Sequence, residues 1–268
     1  MTAASFAPFT PADLELLPPF EPPGWGDLQP RFQWYLSRAA CMPVKALFEG
    51  RMAAVGAAIL HADTAWLATI ITHPDLRGRG LGTALTQHLI RLIDRSRYAS
   101  IYLEATDEGY PVYLKLGFVL EMESVLFQGE QPGLVRPEPA ALEPFSARYT
   151  APLLELDREV SGEHRREVLL PHLPDTQLYI QQGELLGAYW PTLGEGMIQA
   201  RTAAAGQALM LRRLRDTSRA SAPVANETAI AFWSHYLTPL RRARRMVLGP
   251  SRPWRPEWVY NRISGQLG

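Results

Sequence analysis

The chain has 268 residues, 47% of them hydrophobic, with 27 basic and 27 acidic side chains and a formal net charge of +0. A length of this order buries a real core and suits two domains of ~100–200 residues each, while the neutral balance argues against capture of nucleic acid or an anionic membrane by net charge. Cys41 is the lone cysteine, which excludes an intrachain disulfide framework and a cysteine-based zinc cluster; with no HExxH spacing among the histidines, no metal is expected.

The opening "MTAASFAPFTPADLELLPPFEPPG" has neither a basic segment nor an apolar one of signal-peptide type, and no apolar run reaches the ~18 residues of a membrane span. A cytoplasmic protein that engages no membrane is expected. "PVKALFEGRMAAVGAAILHADTAWLATIIT" predicts strands over 43–48, 52–60 and 64–72, separated by the turn-prone "EGR" and "HAD", hence an antiparallel meander. The last strand is apolar on both alternating sets, Trp66, Ala68 and Ile70 against Leu67 and Ile71, as in a strand covered on both faces. Cys41, beside the first strand, reads as a small buried hydrophobe.

"HPDLRGRGLGTAL" (73–85) follows directly. Leu81, Leu85, Leu89, Leu92 and Ile93 then share one stripe, which predicts an amphipathic helix over 82–95. A strand over 100–106, a short helix within "DEGYPVYLKLGF" ending at Gly117, and a strand in "FVLEMESVLF" close the first unit near residue 128. The proline- and glycine-rich 128–144 reads as a linker or crossover, giving units 1–130 and 146–268 joined by 131–145. The second unit predicts a helix at 151–160, a strand pair within 176–190, a helix within 201–216, a helix at 226–237 and a strand at 244–249.

A strand, a glycine loop and a helix N-terminus make an anion site: unpaired N–H groups point at the ligand, the helix dipole favours negative charge, and absent side chains let phosphate approach. The spacing is G-x-G-x-G after an antiparallel meander. A Walker loop would need Gly-Lys-Ser/Thr, and a Rossmann loop G-x-G-x-x-G within a parallel βαβ unit.

"THPDLRGRGLGTAL" resembles the acetyl-CoA loop of the GNAT superfamily of acyltransferases, Arg/Gln-x-x-Gly-x-Gly/Ala, with Arg77, Gly80 and Gly82 in its fixed places. The family's second motif, a tyrosine four residues before Gly-Phe, is matched by Tyr113, Gly117 and Phe118. The resemblance covers roughly residues 6–128, with "FTPADLELL" as first strand and helix. It implies an α+β fold, a mixed but mostly antiparallel twisted sheet flanked by helices. It also implies acetyl-CoA as acyl donor: the pantetheine arm on the backbone of Ile70, Ile71 and Thr72, the pyrophosphate on N–H groups of Arg77, Gly78, Arg79, Gly80, Leu81, Gly82 and Thr83, and an oxyanion site at a backbone N–H near Ile71. Tyr113 would be the acid for the leaving thiolate.

The strand before the loop lacks the glutamate that often serves as base in this family, which leaves water-relayed candidates, Glu104 first, then His73, Asp63 and His61. His73, before a proline at the loop entrance, reads better as a turn residue than as a base, and His88 as a solvated one. The segment 22–43 would cover the acceptor site, where Trp25, Trp34 and Tyr35 either line a pocket or pack between helices. The activity implied is N-acetylation of a small-molecule or peptide amine by a monomer or homodimer; the alternative is a non-catalytic acyl-CoA sensor.

The second half resembles a degenerate repeat of the same fold. The helix at 226–237 repeats the tyrosine-helix spacing with Trp233 in the tyrosine's place and Leu237-Thr238 for Gly-Phe, and no glycine loop precedes the helix within 201–216. One acetyl-CoA per chain is implied. The tail 241–262 holds seven arginines and one acid, but arginine dominates the basic residues throughout, so no nucleic-acid partner is expected.

Overall fold

The computed structural model describes residues 4–130, 137 and 142–267. In the first half, β1 (Ser5–Pro8), α1 (Gln29–Leu36), β2 (Cys41–Phe48), β3 (Arg51–Leu60), β4 (Thr64–Thr72), α2 (Leu81–Leu92), β5 (Ser100–Ala105), α3 (Tyr110–Lys115) and β6 (Val119–Gln128) succeed one another. The second half contains β7 (Glu143–Pro144), α4 (Thr150–Ser161), α5 (Arg166–Leu169), β8 (Gln177–Gln181), β9 (Glu184–Trp190), β10 (Met197–Ala200), α6 (Ala203–Arg213), β11 (Arg219–Pro223), α7 (Glu227–Tyr236), β12 (Thr238–Leu248) and β13 (Val259–Asn261). Most of the expected 131–145 linker lies outside the described residues; of its end, Glu143 and Pro144 already pair with β8.

The meander forms as its sequence predicts, with β2, β3 and β4 antiparallel. α2 is shorter than 82–95: Ile93 turns to extended backbone and closes the helix. Leu92, assigned to the apolar stripe, is 46% exposed, while Leu81, Leu85 and Leu89 are buried against the sheet. Gly56 on β3 permits that packing, because a Cβ there would sit 3.1 Å from Ile70 and 3.3 Å from Leu89.

Two sheets result. The larger runs β1-β2-β3-β4-β5-β12-β6-β11, and the smaller β13-β10-β9-β8-β7. Among the described residues, every pairing is antiparallel except β4 with β5. The halves are therefore not side by side: β12 lies between β5 and β6 of the first half, and β6 pairs with β11 of the second. Each half lends a strand to the other. The core has the same plan, with Phe32, Tyr35 and Trp66 in one buried cluster with Leu153, Leu178 and Trp190. Met246 of β12 joins Leu85 and Leu103 on the α2 side.

Two details of β4 shape the opening at its C-terminal end. Its parallel register with β5 covers only Thr64–Leu67 against Ser100–Leu103, so beyond Leu67 the two strands part. At the same point the β3 register shifts between Val55 and Ala57, so that Thr69 and Ile70 stand against Gly56, a bulge. Thr69 takes a left-handed φ of 53°, a strained conformation for a β-branched residue of the kind found at functional sites.

Candidate active site

The loop and α2 begin where β4 parts from β5. His73 ends β4, its Nδ1 accepting the Asp75 N–H at 3.3 Å, and acts as a turn residue. Gly78 and Gly80 have φ of 75° and 76°, and Gly80 is the N-cap of α2. Only glycine holds both without strain. Ala84 N–H donates to Gly80 O at 2.9 Å as the first helical bond. Among the described residues, no acceptor in the chain takes the N–H groups of residues 78–83. Six successive free donors at the positive end of a twelve-residue helix form a cradle for a phosphate group. A Cβ at Gly78 or Gly80 would meet nothing within 4 Å, whereas one at Gly82 would meet Thr72 Oγ1 at 3.2 Å. Gly78 and Gly80 thus serve the dihedral angle and leave the space beside the loop open, and Gly82 serves close packing on the end of β4.

Arg77 reaches Glu108 at 3.8 Å, tying the loop to the segment before α3. α3 follows the C-terminal end of β5, which is parallel to β4, so Tyr113 stands at the same end of the β4/β5 pair as the loop. Its ring packs edge-on to Phe118 at 5.9 Å, and a Cβ on Gly109 would come within 2.9 Å of it. No hydrogen bond to its hydroxyl is formed among the described residues, and burial pushes the phenol up to about 12. It is a proton holder across the physiological range.

On the other face of the opening, the Tyr35 hydroxyl meets Thr69 Oγ1 at 2.7 Å and is itself fully buried. Gln266, from the far end of the chain, completes this group: with its amide turned so that nitrogen donates to Tyr35 at 2.5 Å, its oxygen accepts from Arg31 Nε at 2.8 Å. Glu104 is the first β5 residue past the last registered pair, Leu67 with Leu103, and it forms a close ion pair with Arg262. The segment Arg262–Gln266 consequently bridges the opening, touching β5 at Glu104 and the β4 bulge through Tyr35.

Tyr35 sits at the bulge, packed rather than open. Trp25 and Trp34 are half-buried, each under a guanidinium, Arg31 at 5.6 Å and Arg38 at 4.5 Å. His61 and Asp63 precede β4 and lie at its opposite end, where Asp63 pairs with Arg252 at 2.6 Å and burial lowers the His61 pKa. They are not brought to the loop. His88 is not simply solvated; it stacks on Phe6 at 4.3 Å. Thr69, Arg262 and Gln266 escape sequence reasoning, since no local motif marks them. Several tail arginines are ion-paired within the chain: Arg242 with Glu123, Arg244 with Asp107, Arg245 with Glu121 and Arg252 with Asp63.

The corresponding region of the second half is closed. β13 pairs with β10, and Asn261 accepts the Ser221 N–H of β11 at 2.8 Å while Arg262 N–H donates to Ser221 O at 2.9 Å. The chain's own strand thus fills the space between β10 and β11. α6 starts from Thr202, whose hydroxyl accepts from Ala205 N–H at 3.3 Å, and no glycine loop precedes it. Trp233 is wholly buried and donates to Tyr260 O at 2.8 Å.

Residues 10–118 match the acetyltransferase (GNAT) family. No curated protein matches the chain. Among solved structures, a Pyrococcus horikoshii protein described as an acetyltransferase is similar over 99% of this chain and 96% of its own, with 19% identity and a TM-score of 0.82. A GCN5-related N-acetyltransferase from Sphaerobacter thermophilus is similar over 94% and 96%, with 16% identity and a TM-score of 0.65. A tandem GNAT protein from the clavulanic acid biosynthesis pathway is similar over 93% and 100%, with 16% identity and a TM-score of 0.62. At these identities the likeness is one of fold.

Proposed function

We propose that this chain, whose residues 10–118 are an acetyltransferase (GNAT) family domain, is an acetyl-CoA-dependent N-acetyltransferase acting on the amine of a small molecule or peptide. The observation that carries the reading is the run of free N–H groups at residues 78–83 on the start of α2, which suits a pyrophosphate and leaves the strand opening at Ile70, Ile71 and Thr72 for the pantetheine arm. Arg77 and Arg79 stand beside the cradle with charge to add. Acetyl-CoA, when bound, supplies the thioester whose C–S bond breaks as a C–N bond to the amine forms. The backbone beside the β4 bulge, near Ile71, offers an N–H toward the developing oxyanion. Tyr113 holds the proton that the departing sulfur requires, and Glu104 is the carboxylate to take one from nitrogen, directly or through water. One proton leaves nitrogen and one arrives on sulfur.

The ion pair between Glu104 and Arg262 favours a second reading, an acyl-CoA sensor without turnover, because a carboxylate held by a guanidinium is a poorer base. A screen of amine pools with acetyl-CoA, read by thiol release, decides between them. Release that depends on an amine supports the enzyme; tight acetyl-CoA binding with no release for any pool supports the sensor.

A further inference from the structure

The end of β4 depends on one residue in an unfavourable conformation. Between the pairs Ala57 with Ala68 and Val55 with Ile71, two residues of β4, Thr69 and Ile70, stand against the single Gly56 of β3. If β4 lost that bulge and ran on as a regular strand, its register would slip by one residue, and the side chains and backbone groups beyond Ala68 would change face. The groups affected include the backbone of residues 70–72.

Thr69 holds the bulge at a φ of 53°, where a β-branched side chain is strained. Glycine would adopt that angle without strain, so a threonine here calls for a reason in its side chain. That reason is a hydrogen bond. Thr69 Oγ1 meets the Tyr35 hydroxyl at 2.7 Å, and both residues are buried. Arg31 donates to the Gln266 amide oxygen from Nε at 2.8 Å and from Nη1 at 3.2 Å, which leaves the amide nitrogen to donate to Tyr35 at 2.5 Å. With its oxygen accepting from Gln266, Tyr35 has its proton for Thr69, so the donors run one way, from Arg31 to the bulge. Neither support is loose. The Tyr35 ring lies edge-on to Phe32 at 5.3 Å and to Trp34 at 5.7 Å. Beside Gln266, the N–H groups of Gln266 and Leu267 both donate to Ser264 Oγ at 3.2 Å, and Leu267 O accepts from Arg165 at 2.9 Å.

We propose that Tyr35, with Gln266 behind it, is a positioning residue for acetyl-CoA: its bond to Thr69 holds the β4 bulge, and with it the backbone of residues 70–72, in the register that takes the pantetheine arm. The last residues of the second half thereby govern cofactor binding by the first. The inference rests on the acetyl-CoA reading above.

The test uses the full chain and two probes: acetyl-CoA, and its nucleotide part alone, ADP with a 3′-phosphate, which carries the pyrophosphate but no pantetheine arm. Calorimetry should show acetyl-CoA binding weakened about tenfold or more by Tyr35→Phe and by Thr69→Val, with the nucleotide part bound within about twofold of the parent by each. Thr69→Ser keeps the hydroxyl and should retain acetyl-CoA affinity within about threefold. The double variant Tyr35→Phe with Thr69→Val should be no weaker than the weaker single one, within about twofold, because both remove the same bond. Gln266→Leu, at a half-buried position near the chain end, should weaken acetyl-CoA in the same selective way and needs no change in the core should Thr69→Val fail to fold. Variants that bind acetyl-CoA as tightly as the parent overturn the inference alone, as does equal weakening of both probes, which would mark the bond as general support of the fold. A parent protein that binds no acetyl-CoA removes the cofactor reading and the inference together. Selective weakening without thiol release for any amine keeps the inference and removes the acyltransferase reading.

Discussion

Replacing Tyr113 with Phe removes one oxygen and almost nothing else. The hydroxyl has no hydrogen bond among the described residues, and the ring's contacts with Phe118 and Gly109 are those of its edge and face. Deleting an unpartnered hydroxyl is close to neutral for stability, so Tm should move by no more than about 2 °C and acetyl-CoA affinity by less than about twofold. Turnover should respond far more. General acid catalysis contributes about 10²–10⁴-fold. Burial pushes this phenol up to about 12, which secures its proton but makes it a weaker acid, so the loss should fall toward 10²-fold, or ~3 kcal/mol of transition-state stabilisation. Because the raised pKa favours the proton-bearing form, Tyr113 should cause no alkaline decline where an ordinary phenol would titrate, near about pH 10. The assay is steady-state thiol release with the amine found by screening, over neutral to alkaline pH, beside a binding titration of both proteins. Turnover of Tyr113→Phe within about threefold of the parent would refute the role, and Tyr113 would be a packing residue.

Gly80→Ala places a Cβ in open space at φ 76°, so the cost is dihedral, ~1–2 kcal/mol and about 2–8 °C in Tm. Gly82→Val instead presses on Thr72 Oγ1, 3.2 Å from the first added carbon. It should weaken acetyl-CoA binding at least about tenfold, with unchanged calorimetric affinity counting against the loop. The full chain should bind one acetyl-CoA, since β13 fills the second opening; a titration with two equivalent sites would contradict that. Cys41 is buried and its thiol is pushed up to about 12 by that burial. It should resist thiol reagents near neutral pH and react fully only in denaturant, and prompt reaction in the native protein would show the site to be open.

The features legible in the sequence are those that neighbours in the chain decide together. β2, β3 and β4 announce themselves through apolar runs broken by turn residues, and the glycine loop through its spacing. The last turn of α2 is overestimated because Leu92 and Ile93 fit the stripe, although the chain turns at Ile93 to reach β5. Tertiary partners are not legible. Glu104 meets Arg262, and Tyr35 meets Thr69 and Gln266, across separations that no periodicity records. The exchange of β6 and β12 is hidden for the same reason: "RRMVLG" reads as a strand, but nothing in it says beside which partner.

That exchange has a consequence during synthesis. β6 ends at Gln128 and β12 at Leu248, so at ~5–20 residues per second the ribosome needs roughly 6–24 seconds between completing the one and completing the other. Throughout that interval the β5 edge that β12 will cover has no strand to take, and an uncovered edge invites pairing with other chains. A gene shortened after the first half would make that interval permanent. The second half, even without a glycine loop of its own, is thus the part whose arrival lets the first finish folding.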